Sequence, residues 1–128
     1  MGGDSLTDLP SPDRVGVIIL CGGASTRMHG VDKTLVNLGG DPLVAHVVAT
    51  FEACPAVGSI VLVASRQNHK GLTDLCRLRG WDKLTHVEIG GDRRQDSVRQ
   101  GLLALHDCDW VVVHDGARPF VTAAMIEA

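Results

Sequence analysis

The sequence predicts an α/β fold, a Rossmann-like three-layer sandwich with a mostly parallel sheet. Short apolar runs rich in Val, Ile and Leu alternate along the chain with segments whose apolar residues recur at helical spacing. The apolar runs are continuous, which is typical of strands buried on both faces of a parallel sheet. With 128 residues, 45% of them hydrophobic, the chain is large enough for one domain with its own core.

The first strand is predicted at residues 15–20, VGVIIL, and it ends in a glycine-rich loop. After a Gly-Gly turn, Asp41 is expected to cap the first helix, with Pro42 at the first helical position. Apolar residues at helical spacing continue this helix through residues 43–51, and Pro55 closes the segment.

The same alternation of strand and helix continues through the middle of the chain. A buried strand is predicted at residues 59–64, SIVLVA, and a short strand is predicted at residues 86–89. Between them, leucines at residues 72–78 recur at helical spacing and predict a helix that ends at Gly80.

The last predicted elements are a helix, a strand and a second helix. The first of these helices begins near Asp96 or Ser97, either of which can cap it, and it runs to Leu105. Residues 109–113, DWVVV, are the fourth predicted strand. Thr122 is expected to cap a last helix.

Composition and charge argue against several classes of protein. The formal net charge is −3, whereas nucleic-acid binders usually carry a basic surplus. No apolar run reaches membrane-spanning length, and residues 1–14 lack the pattern of a signal peptide, so they are expected to form a disordered tail. The four cysteines and six histidines show no redox or metal-ligand spacing. We therefore expect free thiols in a cytoplasmic protein that binds neither nucleic acid nor membrane.

Basic residues cluster in loops that follow predicted strands. Ligands of open parallel sheets bind beyond the carboxyl ends of the strands, and three loops leave such ends: 21–33, 90–97 and 114–119. The clustered cations are Arg27, Lys33, Arg93, Arg94, Arg99 and Arg118. In a slightly acidic chain, such clusters suit a small anionic ligand better than a charged polymer.

The first loop, CGGASTRM with Lys33 beyond it, is a candidate phosphate site. Glycines let backbone N–H groups approach phosphate oxygens, and Arg27 and Lys33 supply positive charge. The loop matches neither GxxxxGK[ST] nor GxGxxG. In the alternative interpretation, Gly22 and Gly23 form a plain turn between a strand and a helix; the two cations favour the phosphate site.

The second loop, GGDRRQDSV, offers groups that can recognise a base. Gly90 and Gly91 permit close backbone approach to a base edge, Asp92 accepts hydrogen bonds, and the Ser97 hydroxyl donates or accepts them. The alternative is that this loop only caps the following helix.

The third loop, VHDGARPF, carries a carboxylate directly after a buried strand. Asp115 is therefore expected to face the crevice, where it can bind a ribose hydroxyl or a metal ion. Arg118 precedes a proline and has extended or turn geometry. The alternative for Asp115 is a turn or cap residue.

Four polar residues of the second and third loops are expected to have structural roles. Asp96 is assigned to a helix cap, and Arg93 and Arg99 are assigned to solvent. His114 is expected to be a packed or hydrogen-bonded histidine, so it is left out of the chemistry.

Three segments together resemble the 2-C-methyl-D-erythritol 4-phosphate cytidylyltransferase family: GGASTRM followed by Lys33, GGDRRQDSVRQGL, and VVVHDGARPFV. The second and third, in this order, are specific to that family among sugar-nucleotide transferases. The resemblance runs from about Val15 to the last residue and implies a fold of the nucleotide-diphospho-sugar transferase type. It also implies transfer of CMP from CTP to 2-C-methyl-D-erythritol 4-phosphate, a small sugar-alcohol phosphate, with release of pyrophosphate, in non-mevalonate isoprenoid biosynthesis.

The resemblance implies roles for individual residues. Arg27 and Lys33 would be catalytic, stabilising the charge that builds on the α-phosphate. Nucleotide contacts would come from Cys21, Gly22, Gly23, Ala24, Ser25, Gly91, Asp92, Ser97 and Asp115, with Gly91, Asp92 and Ser97 on the cytosine. Asp115 and Arg118 would bind the acceptor. Mg²⁺ would be held mainly by the phosphates of CTP, with no protein ligand assigned.

The first loop departs from the family pattern. Ser25 stands where a second glycine is usual, and Asp32 stands where a proline often precedes Lys33. The loop is similar to that of molybdenum-cofactor guanylyltransferases, so such an enzyme, another sugar-phosphate nucleotidyltransferase, or an inactive nucleotide-binding fragment are the alternatives; the second and third loops favour cytidine. Because family members continue well past Ala128, the domain at residues 15–128 is expected to be incomplete at its C-terminus and its full-length form a homodimer.

Overall fold

The computed structural model describes residues 15–22, 27–28, 31–32, 37–38, 41–105, 108–116 and 124–127. Within these ranges the strands are β1 (Val15–Leu20), β2 (Arg27–Met28), β3 (Val31–Asp32), β4 (Asn37–Leu38), β5 (Asp41–Pro42), β6 (Val57–Ala64), β7 (Leu84–Ile89), β8 (Trp110–Asp115) and β9 (Ala124–Glu127). The helices are α1 (Leu43–Glu52), α2 (His69–Arg79) and α3 (Arg94–Ala104). The N-terminal segment 1–14, expected to be a tail, lies outside these ranges.

The main sheet has the strand order β7-β6-β1-β8-β9 among the residues that the structure describes. Strands β7, β6, β1 and β8 pair in parallel, and β9 pairs antiparallel with β8. Two short antiparallel ladders, β2 with β3 and β4 with β5, follow the first strand. The predicted mostly parallel sheet is confirmed, and β1 lies at its centre.

Helices cover both faces of the sheet, as the fold class requires. On one face, Val17 and Ile19 of β1 join a buried cluster that includes Val44 of α1 and Leu72 of α2. On the other face, Ile18 of β1 belongs to a second cluster that packs against residues of α3. Successive residues of a strand point to opposite faces, so β1 contributes apolar side chains to both layers. The continuous apolar runs in the sequence therefore reflect burial on both sides.

Helix α2 ends where the sequence predicts, and α1 begins one residue later than expected. Gly80 has φ 63°, and its N–H donates to the Cys76 carbonyl, as at a left-handed helix end. Asp41 does not cap α1: the N-cap is Pro42, with φ −60° and ψ 147° and no side-chain cap bond. Asp41 instead pairs with Leu38 in the β4–β5 ladder, which keeps it in the preceding element.

Helix α3 begins at Arg94, earlier than the sequence predicts. Neither Asp96 nor Ser97 is the N-cap residue. Asp96 stands at the third helical position, where its carboxylate accepts a hydrogen bond from the Arg93 backbone N–H (3.2 Å) and pairs with Arg93 Nε (3.3 Å). An acidic residue one turn into a helix can satisfy an N-terminal donor in this way, so Asp96 supports the helix end from inside the first turn.

The predicted last helix from Thr122 is wrong, because Ala124–Glu127 forms strand β9. The four residues of β9 pair antiparallel with residues 110–113 of β8. The edge of β8 offers a row of backbone hydrogen-bonding groups with which an extended segment pairs. Among the helices given above, none has the length and apolar character needed to cross a membrane.

Candidate functional site

The carboxyl ends of four parallel strands are tied together by backbone hydrogen bonds. These bonds join the Cys21 N–H to the Val63 carbonyl (2.7 Å), the Gly90 N–H to the Ala64 carbonyl (2.9 Å) and the Gly116 N–H to the Leu20 carbonyl (2.8 Å). Each extends the pairing of neighbouring strands by one residue into a loop. The prediction that the three candidate loops leave the same edge of the sheet is therefore confirmed.

A cleft of about 180 Å³ lies at this edge of the sheet. It is lined by Leu20, Gly22, Val63, Ala64, Ser65, Gly90, Gly91, Asp92, Arg93, Arg94, Ser97 and Asp115. Five of these residues, Gly22, Gly91, Asp92, Ser97 and Asp115, are candidate site residues from three loops that are distant in sequence. The fold thus brings together the described parts of all three candidate loops.

Among the described candidate residues, Cys21 does not line the cleft. The Cys21 side chain is fully buried in the core cluster with Val17 and Ile19, so its backbone is what reaches the sheet edge. Arg27 lies in strand β2, where it pairs with Asp32; the role of its guanidinium stays a prediction. The remaining candidates lie outside the described residues: Gly23, Ala24, Ser25, Lys33 and Arg118.

The glycines of the second loop allow α3 to pack close to the end of β6 and β7. A Cβ at Gly90 would overlap the Ser97 hydroxyl and lie 2.9 Å from Val63 Cγ1, and one at Gly91 would overlap Asp96 Cβ. Side chains at these positions would force the first turn of α3 away from the sheet edge. The two glycines therefore hold Ser97 beside the cleft.

Arg94 lines the cleft, although its sequence position indicated no specific role for it. Its Nη1 lies 2.6 Å from Asp115 Oδ1 and joins the start of α3 to the end of β8 across the cleft. The Asp115 side chain is 16% exposed and that of Arg94 is 57% exposed. The available signal was its membership of the cation cluster in GGDRRQDSV; its partner, 21 residues away, becomes apparent only when the two elements meet.

The residues expected to have structural roles behave as predicted in most respects. Arg99 is exposed, which confirms its assignment to solvent. Arg93 is also exposed, but it lines the cleft and pairs with Asp96. His114 is 2% exposed, and its ring packs edge-on against Phe51 with centroids 5.6 Å apart, which confirms a packed histidine. Asp96 supports the start of α3, although from the third helical position rather than from the N-cap.

The cleft has carboxylate oxygens of the kind that bind a divalent cation such as Mg²⁺. Among the described residues, no group of three or more His, Cys, Asp or Glu side chains is arranged to hold a metal ion. The cleft contributes the carboxylates of Asp92 and Asp115. Mg²⁺ is commonly bound by one or two carboxylates together with substrate phosphates and water, so this donor set suits such an ion.

The sheet and its cleft define the class of this protein: an open α/β protein with its ligand site beyond the carboxyl ends of parallel strands. A family model described as IspD, 2-C-methyl-D-erythritol 4-phosphate cytidylyltransferase, matches residues 15–128. The chain therefore belongs to the 2-C-methyl-D-erythritol 4-phosphate cytidylyltransferase family.

Individual relatives agree with this assignment. A 2-C-methyl-D-erythritol 4-phosphate cytidylyltransferase of Dehalococcoides mccartyi is 41% identical over 114 residues, which are 89% of this chain and 50% of the relative. The enzyme of the same name from a second strain is 41% identical over 85% of this chain and 48% of its own length. The chain thus spans about half the length of the curated relatives it matches.

The fold is also similar to a solved structure of the same family. The crystal structure of 4-diphosphocytidyl-2C-methyl-D-erythritol synthase from Anaerococcus prevotii matches with a TM-score of 0.67 and 25% sequence identity. The match covers 83% of this chain and 44% of the solved chain. These findings favour the cytidylyltransferase interpretation over the guanylyltransferase-like alternative.

Proposed function

We propose that this chain provides the nucleotide-binding part of an enzyme that transfers CMP from CTP to 2-C-methyl-D-erythritol 4-phosphate and releases pyrophosphate. The observation that carries the proposal is the cleft at the sheet edge. In a member of this family, it collects Gly22, Gly91, Asp92, Ser97 and Asp115 from three separate loops.

The second loop would recognise the cytosine base. Cytosine presents an exocyclic amino group that donates hydrogen bonds, and the Asp92 carboxylate is an acceptor of the matching kind. The Ser97 hydroxyl can donate to or accept from the base edge, and Gly91 allows the base to approach the backbone. Uracil has a carbonyl oxygen in place of the amino group, so the same carboxylate would repel it.

The first loop would hold the triphosphate and support the transfer. The phosphate of the acceptor is already a nucleophilic anion, so the main obstacle is to bring two anions together. The guanidinium of Arg27 and the ammonium of Lys33 would stabilise the charge that builds on the α-phosphate, and N–H groups from Gly22 to Ser25 would wrap the other phosphates. A bound Mg²⁺ would neutralise part of the negative charge of the phosphate oxygens.

The third loop would position the sugar hydroxyls and the acceptor. The Asp115 carboxylate accepts hydrogen bonds from hydroxyl groups, and the ion pair with Arg94 fixes its position at the cleft wall. Arg118 would contribute a cation for the acceptor phosphate. We further propose that the full-length form is a cytoplasmic homodimer whose ligands are small molecules rather than nucleic acid or membrane.

Thermal unfolding in the presence of nucleotides tests this proposal. A ligand stabilises the fold according to its affinity, so CTP should raise the Tm more than equal concentrations of UTP, ATP or GTP. Arg27→Ala and Lys33→Ala should each remove most of the CTP effect. Arg77→Ala, on the exposed side of α2, makes the same charge change outside the cleft and should leave it intact.

Two results would contradict the proposal. Equal protection by all four nucleotides would mean that the second loop does not select cytosine. CTP protection that survives in both the Arg27 and the Lys33 variants would mean that the triphosphate binds elsewhere.

A further inference from the structure

Asn68 is a buried amide beside the start of the first loop. The residue is 4% exposed, and its Nδ2 donates to the Cys21 carbonyl oxygen at 2.6 Å. Its Oδ1 accepts from the Ser65 backbone N–H at 2.8 Å, and its own backbone N–H donates to Ser65 Oγ at 3.2 Å. One side chain thus joins the end of β1 to the turn that follows β6.

Capping at the start of α2 does not account for the Nδ2 group of this side chain. Asn68 occupies the N-cap position of α2, where asparagine usually accepts a hydrogen bond from an N–H in the first helical turn. Its side chain makes no such cap bond. Its Oδ1 instead forms a reciprocal pair with Ser65, similar to a capping box, in the turn before α2. Its Nδ2 donates to the Cys21 carbonyl, and this bond is the one that concerns the first loop.

The bond to Cys21 fixes the orientation of one peptide group at the sheet edge. In a trans peptide the carbonyl and the N–H point in opposite directions. Because the Cys21 carbonyl points to Asn68, the Gly22 N–H points away from Asn68. Gly22 lines the cleft, whereas the buried Asn68 is not among the described residues that line it. The opposite orientation would turn a carbonyl oxygen toward the ligand, where it would repel an anion.

We propose that Asn68 is a positioning residue for phosphate binding. By holding the Cys21 carbonyl, it keeps the Gly22 N–H directed toward the phosphate oxygens of the ligand. Close packing restricts the same peptide, since a Cβ at Gly22 would lie only 3.0 Å from the Ser65 backbone nitrogen. The inference rests on the proposed function, which supplies the triphosphate, and it adds to that function a residue outside the cleft.

The test is a titration of the ¹⁵N-labelled chain with inorganic tripolyphosphate, followed by NMR. In the wild-type chain the Gly22 amide resonance should shift as tripolyphosphate binds. Asn68→Asp keeps the acceptor for Ser65 but replaces the donor to Cys21 with a carboxylate oxygen. It should weaken tripolyphosphate binding about tenfold and abolish the Gly22 shift, because one hydrogen bond to a charged group is lost.

Two further variants separate positioning from stability. Asn68→Leu has a similar shape without a charge, and it should also weaken tripolyphosphate binding. It provides the test if Asn68→Asp does not fold. Thr73→Val removes a hydrogen bond from Thr73 Oγ1 to the His69 carbonyl (2.8 Å) in the same helix. It should change the urea midpoint without changing tripolyphosphate affinity. If Asn68 had a purely structural role, its variants would behave in the same way as Thr73→Val.

The outcomes distinguish this inference from the proposed function. The inference is overturned if the wild-type Gly22 amide does not respond to tripolyphosphate, or if the folded Asn68 variants bind it as tightly as the wild type does. Tripolyphosphate has no base, so failure of the cytidylyl assignment would show instead as equal affinity for CTP and UTP. In that case the loss in the Asn68 variants would still support the positioning role.

Discussion

Asp115 is a carboxylate that is largely withdrawn from water and paired with a guanidinium. Its side chain is 16% exposed, and Arg94 Nη1 lies 2.6 Å from Oδ1. A charged group in such a position requires a partner, because desolvation disfavours the ionised form. Arg94 therefore stabilises the fold at the point where the candidate site needs a fixed negative charge.

Arg94→Gln should destabilise the chain by about 1 kcal/mol, a value reduced from that of a buried pair because Arg94 is more than half exposed. Arg93→Gln is the matched control, since its partner Asp96 is 39% exposed and the pair spans a single helical turn. That change should cost about 0.5 kcal/mol or less. Urea denaturation measures both, and equal effects would contradict a special role for the Arg94–Asp115 pair.

Cys76 provides a pH-dependent prediction. Burial raises the pKa of its thiol from 9.0 to about 11. At pH 8 its thiolate fraction should be about a hundredfold lower in the folded chain than in the unfolded chain, and alkylation by iodoacetamide should slow accordingly. Mass spectrometry of the alkylated peptide, with and without urea, measures this ratio. Similar rates in both states would contradict the shift.

The raised pKa of Cys76 also determines how the stability of the chain changes with pH. Because the folded pKa is the higher one, the contribution of Cys76 is present below about pH 9 and is lost as the pH rises through 11. Cys76→Ala should remove this part of the alkaline loss of stability.

Some site residues were predicted because they lie in local motifs. Others were missed because their partners are distant in sequence. Gly91, Asp92 and Ser97 carry recognisable chemistry within one short loop, so the sequence indicated them directly. Arg94 needed the meeting of α3 with β8 before its partner was known. Asn68 has the local pattern of a turn or helix cap, and its bond to Cys21, 47 residues away, has no local signature.

At the scale of elements, the features predicted best were those that depend on a single segment of the chain. Gly80 marked the end of α2 because a left-handed residue at a helix end is a local requirement. Strand β9 was mistaken for a helix because its conformation depends on the edge of β8, which is a tertiary partner. The start of α1 shifted by one residue because Asp41 pairs with Leu38 before the helix begins.

Gly71 inside α2 and Gly80 at its C-terminal end should respond to alanine with opposite signs. Gly80→Ala should destabilise the chain by about 1 kcal/mol, because φ is 63°. Apart from its chain neighbours, no described residue has an atom within 4 Å of the added Cβ, so the cost comes from backbone strain. Gly71→Ala, on the exposed surface inside the helix, should stabilise it by about 0.5 kcal/mol. Thermal or urea unfolding measures both changes.

A further variant tests the cause of the Gly80 effect. Gly80→Asn should lose less stability than Gly80→Ala, because asparagine tolerates the left-handed region better. An equal or larger loss in the asparagine variant would contradict strain as the cause.

At the scale of the whole molecule, topology creates the candidate site. The parallel arrangement of β7, β6, β1 and β8 sends their following loops to one edge, where the cleft forms. This much follows from the alternation of strands and helices in the sequence. The order of the strands, the dimensions of the cleft and the contacts across it depend on packing between distant segments, so they required the structure.

The most direct test of the central claim is a crystal structure of the chain with CTP and Mg²⁺. We predict that the cytosine lies against Gly91, Asp92 and Ser97 and that the ribose is close to Asp115. We also predict that the phosphates lie along the segment from Gly22 to Lys33. CTP bound away from this cleft would contradict the account. So would CTP bound with its phosphates at Gly91, Asp92 and Ser97 and its base at the segment from Gly22 to Lys33.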